Sequence, residues 1–171
     1  APDLAIQEAF RQATTAAREA MARRNLVAAR EQLAAAEAQV QTPEERAELD
    51  RLAQIAVYLE QFWQAVRMAV TGLKPLDELP VQNSRVVVVQ VTGEQLTVRT
   101  AARNYTFVPA NMHHNLVLAL ADRGLADSPD KDVLLGTYLA FAPGGDRAEA
   151  RRLWEQAAAR GVEVASLMPE L

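Results

Sequence analysis

Apolar residues recur every three or four positions over three segments of the N-terminal half, which is the spacing of one helical face. These segments cover residues 3–22, 26–40 and 43–73. Thr42 and Glu45 match a capping box at the start of the third segment. A helix of about 30 residues is roughly 45 Å long. The third segment is therefore predicted to form the long central helix of the fold.

The middle of the chain changes to the alternating, β-branched pattern of strands. Residues 85–91, 95–100 and 104–108 have this pattern and are separated by turn-forming residues. We predict a three-stranded antiparallel meander within residues 76–110, with one face buried against the long helix. That face includes Leu96, Val98, Tyr105 and Phe107.

A further short edge strand is an open alternative before the meander. Leu79 and Val81 fit such a strand, whereas Pro75 and Pro80 disfavour it, because proline cannot donate a hydrogen bond to a neighbouring strand.

The last third of the chain returns to helical spacing. Helices are predicted over residues 111–123, 129–142 and 146–160, with Asn111 capping the first and Asp146 the third. Glycines follow two of these segments, as is usual at helix ends.

These patterns together predict an α+β fold that is predominantly helical, with about six helices and the three-stranded meander packed on the long helix. We expect a single domain over residues 1–171, because one domain is the usual outcome at this length. It comprises a helical hairpin plus long helix at 1–74, the meander at 76–110 and the C-terminal helices at 111–171.

The amino-acid composition excludes several classes of functional site and partner. The chain has 18 Lys and Arg against 22 Asp and Glu, a net charge of −4, and no cysteine. Without cysteine there are no disulfides, thiolate metal sites or cysteine nucleophiles, and the acidity argues against a nucleic-acid partner. Charged or polar residues interrupt every apolar run, so we expect a soluble chain with no integral membrane segment. A start without methionine fits either a trimmed chain or an exported chain whose signal has been removed.

Two resemblances concern the helices. Gly145-Asp146 with Trp154-Glu155-Gln156-Ala157 resembles the second helix of a tetratricopeptide repeat, and Leu135-Gly136 with Tyr138 resembles part of the first. The layout as a whole, including Phe62-Trp63-Gln64-Ala65-Val66 and Pro169-Glu170-Leu171, is similar to uncharacterised exported planctomycete proteins. The second resemblance implies an exported or cell-envelope protein and transfers no catalytic residue.

No arrangement of residues indicates an enzyme. His113 and His114 are adjacent, so on a helix they point about 100° apart and would not chelate one ion together. Glu44, Glu45 and Glu48 are explained by the favourable charge of a helix start. There is no nucleophile elbow and no phosphate-binding loop. We expect no cofactor, no metal and no catalytic residue.

We therefore expect a non-enzymatic protein-interaction or scaffold module that uses a helical groove or sheet edge to bind a protein or peptide partner. The alternative is a small-ligand-binding domain with a pocket between the long helix and the sheet. The residues predicted for interaction or for the pocket are Trp63, Val88, Val98, Tyr105, Phe107 and Trp154. For both tryptophans, core packing is the favoured interpretation and interface anchoring the alternative. The partner and the oligomeric state are left open.

Overall fold

A computed structural model describes residues 1–171 and shows an α+β fold with six helices and a four-stranded antiparallel sheet in the middle of the chain. This confirms the predicted fold class. The elements in order are α1 Leu4–Ala22, α2 Leu26–Glu37, α3 Pro43–Thr71, β1 Glu78–Val81, β2 Ser84–Thr92, β3 Gln95–Thr100, β4 Arg103–Phe107, α4 His114–Gly124, α5 Lys131–Phe141 and α6 Arg147–Ala159. Short 3-10 turns lie at Pro109–Asn111 and Met168–Glu170.

Side-chain caps define most of the helix starts. Asp3 accepts hydrogen bonds from the first turn of α1, Asn25 from that of α2 and Asp146 from that of α6. The predicted cap at Asn111 is wrong. Its Oδ1 instead accepts from the backbone N–H of Val108 at 2.8 Å, within the 3-10 turn that precedes α4.

The sheet has the strand order β1-β2-β3-β4, so the meander has one strand more than predicted. The added strand is the short edge strand that the sequence left open. Pro80 lies within it, opposite Arg85 of β2. Proline is tolerated there because an edge strand has one neighbour only, and the N–H groups on its outer side have no strand to pair with.

The chain divides into two compact units. Unit 1 contains residues 1–60 and 132–171, and unit 2 contains residues 61–131. Buried apolar side chains occur in both, among them Phe10, Leu52, Ile55 and Trp154 in unit 1 and Phe62, Val66, Leu96 and Leu120 in unit 2. The single domain expected from the length of the chain stays a prediction.

In unit 1, α5 and α6 approach closely at a glycine. A Cβ added to Gly136 would lie 2.6 Å from Cδ1 of Trp154, well inside van der Waals contact. Trp154 itself is fully buried, and its indole N–H donates to Oγ1 of Thr137 at 3.3 Å. Thr137 in turn donates to the carbonyl of Val133 at 2.7 Å. The one polar atom of this tryptophan is therefore satisfied inside the core.

None of the six helices combines the length and the apolar character that spanning a lipid bilayer requires.

Candidate binding groove

A groove of about 340 Å³ lies in unit 2 between the sheet and the start of α4. Its volume falls in the range of roughly 300–1,000 Å³ that is usual for ligand sites. We call it the sheet-face groove. Its lining residues are Val81, Gln82, Ser84, Val86, Val98, Thr100, Tyr105, Phe107, His113, Asn115 and Leu116.

The pairing register explains why an apolar groove forms here. Directly paired residues of antiparallel strands have their side chains on the same face of the sheet. Val98 pairs with Tyr105, and Leu96 pairs with Phe107. Leu96 and Val98 are buried, whereas Tyr105 is 42% exposed and Phe107 is half-buried. The apolar face is therefore covered over β3 and open over β4.

Three rings form a row along the open part of this face. The rings of Tyr105 and Phe107 are nearly parallel, with centroids 6.5 Å apart. The ring of His113 lies 5.1 Å from that of Phe107 and is tilted by 59°. His113 occupies the N-cap position of α4 but makes no capping hydrogen bond with its side chain. Aromatic groups with one exposed edge are typical of binding surfaces.

No Lys or Arg lines the groove, but one arginine lies beside it on the same face of the sheet. No Asp or Glu lines the groove. Arg103 pairs with Thr100 in the register, which places it on the groove face, and it has no ion-pair partner. Arg99 lies on the opposite face and donates to Oδ1 of Asn104 at 3.0 Å. The tip of the β3–β4 hairpin thus has two cations and no carboxylate.

The groove brings together three of the six predicted residues, namely Val98, Tyr105 and Phe107. The other three do not line it. Val88 pairs with Val98 on the same face of the sheet but is buried, Trp63 is buried in unit 2, and Trp154 is buried in unit 1. The sheet-face groove is bounded by the start of α4, and the pocket expected between the long helix and the sheet stays a prediction. No α3 residue lines the sheet-face groove.

His113 and Leu116 line the groove, although neither was predicted as a pocket residue. A signal for them exists in the sequence, because only residues 108–113 separate β4 from α4. A connection this short keeps the start of the helix beside the end of the strand. The pair of histidines drew attention only to metal binding. In the structure, no group of three or more His, Asp or Glu side chains is arranged to hold a metal ion.

A cluster of charged side chains lies in unit 1 and holds the C-terminal 3-10 turn against α1 and α3. The carboxylate of Glu170 is 6% exposed, and it accepts hydrogen bonds from Arg18 at 2.7 and 3.0 Å and from Arg51 at 3.0 Å. Burial raises the pKa of Glu170, but the hydrogen bonds and charges of the two arginines outweigh it and hold this pKa below its usual value. Because both oxygens are engaged by side chains of the protein, the cluster is structural.

Comparisons of the chain with protein-family models, with curated proteins and with solved structures found no match. The helices on which the tetratricopeptide resemblance rests are present as α5 and α6. The resemblance itself stays a prediction, as does the similarity to exported planctomycete proteins. A function must therefore be inferred from the geometry of the sheet-face groove.

Proposed function

We propose that this chain is a non-enzymatic protein-interaction module that binds a protein or peptide partner at the sheet-face groove. One observation supports this above the others: an otherwise buried apolar face stays open at Tyr105 and Phe107, beside an unpaired strand edge. Exposed aromatic groups over a rigid apolar floor are characteristic of sites that a partner covers.

The floor of the groove suits such a role because it is already ordered. Val86, Val98 and Leu116 are buried and belong to the sheet or to α4. A partner group that enters the groove therefore meets fixed walls and loses little binding energy to ordering the receptor. Residues that anchor an interface in this way commonly contribute about 2 kcal/mol or more.

A displayed peptide library tests the proposal on the full chain. We expect selection of peptides with a shared apolar or aromatic position. Their affinity should fall roughly thirtyfold in Tyr105→Ala, which corresponds to about 2 kcal/mol. Met68→Ala is the matched control, because Met68 is an exposed apolar residue of unit 2 that does not line the groove. Failure to select related peptides, or equal losses in the two variants, would contradict the proposal.

A small-ligand-binding domain is the second candidate. The volume of the groove and the side chains of Thr100, His113 and Asn115 among its apolar walls support it. A thermal-shift screen against metabolites tests this alternative: a hit should raise the unfolding temperature of the native chain and have a weaker effect on Phe107→Ala. A uniformly flat screen would exclude this alternative in favour of the first.

An exported or cell-envelope setting is proposed on the resemblance to exported proteins, and the absence of cysteine agrees with it. Detection of the protein by antibody in separated cell fractions tests the compartment. Recovery with the cytoplasmic fraction alone would contradict it.

A further inference from the structure

The outer edge of β4 is unpaired. The strand lies at one end of the sheet and has β3 as its only neighbour. No hydrogen bond outside the sheet engages the backbone of residues 103–107. Four of these five residues are exposed. Half of the backbone N–H and C=O groups of β4 therefore face solvent, where an additional strand can pair with them.

The two edges of the sheet differ in how they are protected. β1 is only four residues long and contains Pro80, which blocks pairing. β4 has no proline, and its pairing with β3 is regular, since the one irregularity of the sheet lies between β2 and β3. Its single charge is Arg103, at the first position. β4 is thus the edge at which strand addition is possible.

The side chains of β4 determine which side chains an added strand must carry. Alternate residues of β4 share the groove face, in the order Arg103, Tyr105 and Phe107. An added strand also presents alternate side chains to that face, about 4.8 Å from β4. A residue opposite Tyr105 or Phe107 meets aromatic rings and the apolar floor, whereas a residue opposite Arg103 meets a cation without a carboxylate partner.

Resting on the proposed function, we infer that the partner is an extended acidic peptide segment that adds to the sheet at β4. It places an apolar or aromatic side chain in the sheet-face groove and, two residues away on the same face, a carboxylate beside Arg103. Charge complementarity identifies this occupant, because Arg103 lies on the groove face without an ion-pair partner and no acidic residue lines the groove to repel a carboxylate.

Two nine-residue synthetic peptides with blocked ends serve as probes for the full chain: Thr-Thr-Glu-Thr-Phe-Thr-Val-Thr-Thr and its reversed order, because strand direction is free. Matched controls carry Lys in place of Glu. We expect one of the acidic orders to bind at least about fivefold more tightly than its Lys control at low salt, and this difference to shrink as salt is added.

A charge exchange tests the contact with Arg103. Arg103→Glu should reverse the preference, so that the Lys peptide binds more tightly than the Glu peptide. Arg99→Glu is the matched control: it makes the same change of charge in the same hairpin on the opposite face, so the preference for the acidic peptide should persist. Both positions are exposed, and circular dichroism verifies that the variants are folded.

Backbone methylation tests strand addition. Only alternate N–H groups of an added strand point toward β4. N-methylation of one alternating set of amides should weaken binding at least about tenfold, and methylation of the other set should weaken it much less. Equal effects of the two sets would overturn strand addition.

The failure of this inference differs from the failure of the proposed function. If library peptides still lose affinity in Tyr105→Ala while the Glu and Lys probes bind alike, the acidic peptide is wrong and the interaction module stands. If no peptide binds at the groove, both fail. A concentration-dependent dimer that Tyr105→Ala dissociates would show that a second copy occupies β4, and it would overturn the assignment to a peptide.

Discussion

Gly136 lets α5 and α6 approach because it has no side chain at the point of contact. A Cβ at this position would be 2.6 Å from Cδ1 and 2.9 Å from Nε1 of Trp154, and Trp154 is fully buried and unable to move aside. We expect Gly136→Ala to lower the free energy of unfolding by about 1–3 kcal/mol through overpacking. Urea unfolding followed by tryptophan fluorescence measures the change.

Gly72→Ala is the matched control for this substitution. The nearest atom to a Cβ at Gly72 is the carbonyl oxygen of Met68 at 3.5 Å, an ordinary contact. The same replacement should therefore be neutral or stabilising by up to about 1 kcal/mol, because it reduces the freedom of the unfolded chain. Equal midpoints for the two variants would refute the close approach at Gly136.

Glu170 makes the stability of the protein depend on pH. Its pKa is held below the usual value by Arg18 and Arg51 despite burial. The carboxylate therefore contributes fully above its usual pKa of 4.5, and the contribution is lost as the pH falls through the lowered value in the folded state. We expect Glu170→Gln to cost about 1–3 kcal/mol at pH 7, since it weakens hydrogen bonds to charged groups. The difference should shrink as the pH falls below 4.5.

Chemical unfolding of both proteins between pH 3 and pH 7 measures this dependence. Glu155→Gln is the control, because Glu155 is exposed and has no hydrogen bond or ion pair in unit 1. Its free energy of unfolding should follow that of the native protein within about 0.5 kcal/mol at each pH. A pH-independent loss in Glu170→Gln would mean that shape, and not charge, determines its contribution.

The sequence indicated that Tyr105 and Phe107 share a face with Leu96 and Val98, and the pairing register confirms it. The sequence did not show which of these side chains would be buried and which exposed. Strand alternation reports which side a residue lies on, but it contains no information about how far the covering element extends. The exposure of Tyr105, on which the proposed function depends, is visible only in three dimensions.

The start of α3 is the element that the sequence predicts best. The backbone N–H of Glu45 donates to Oγ1 of Thr42 at 3.1 Å, and the carboxylate of Glu45 accepts from the N–H of Thr42 at 3.2 Å. This reciprocal pair confirms the predicted capping box. We expect Thr42→Ala to lower the free energy of unfolding by about 1 kcal/mol, as measured by urea unfolding.

Thr15→Ala is the control for Thr42→Ala and should not lower the free energy of unfolding. Thr15 is exposed inside α1, away from either end, and alanine has the higher helix propensity. This variant should be as stable as the native protein or slightly more so. A loss of stability similar to that of Thr42→Ala would show that threonine hydroxyls contribute in some way other than capping.

Elements were harder to predict where local preferences conflict. Proline argued against a strand at Glu78–Val81, but pairing with β2 outweighs this preference because the strand is at an edge. Asn111 matched a helix cap, yet the 3-10 turn at Pro109–Asn111 uses its side chain first. The strand was an open alternative and the cap was wrong; in both places local preferences allow two conformations, and the surrounding structure decides between them.

For the molecule as a whole, the division into two units separates effects on binding from effects on stability. The groove belongs to unit 2, whereas Gly136 belongs to unit 1. At a temperature where both variants are folded, Tyr105→Ala should lose the affinity for selected peptides, and Gly136→Ala should retain it within about twofold although it is the less stable protein. Titration calorimetry with one selected peptide measures both. A similar loss in the two would mean that binding follows global stability.

Local sequence patterns were enough to predict six amphipathic helices, the alternating strands between them, a long third helix with its capping box, and the absence of cysteine chemistry. These follow from local preferences and periodicity, which act over a few residues. Three features emerge only from the folded chain: β1 joins the sheet, Trp63 and Val88 are buried while Tyr105 is exposed, and the start of α4 bounds the groove. Such features depend on contacts between residues far apart in the chain, and the same local pattern is compatible with more than one of them.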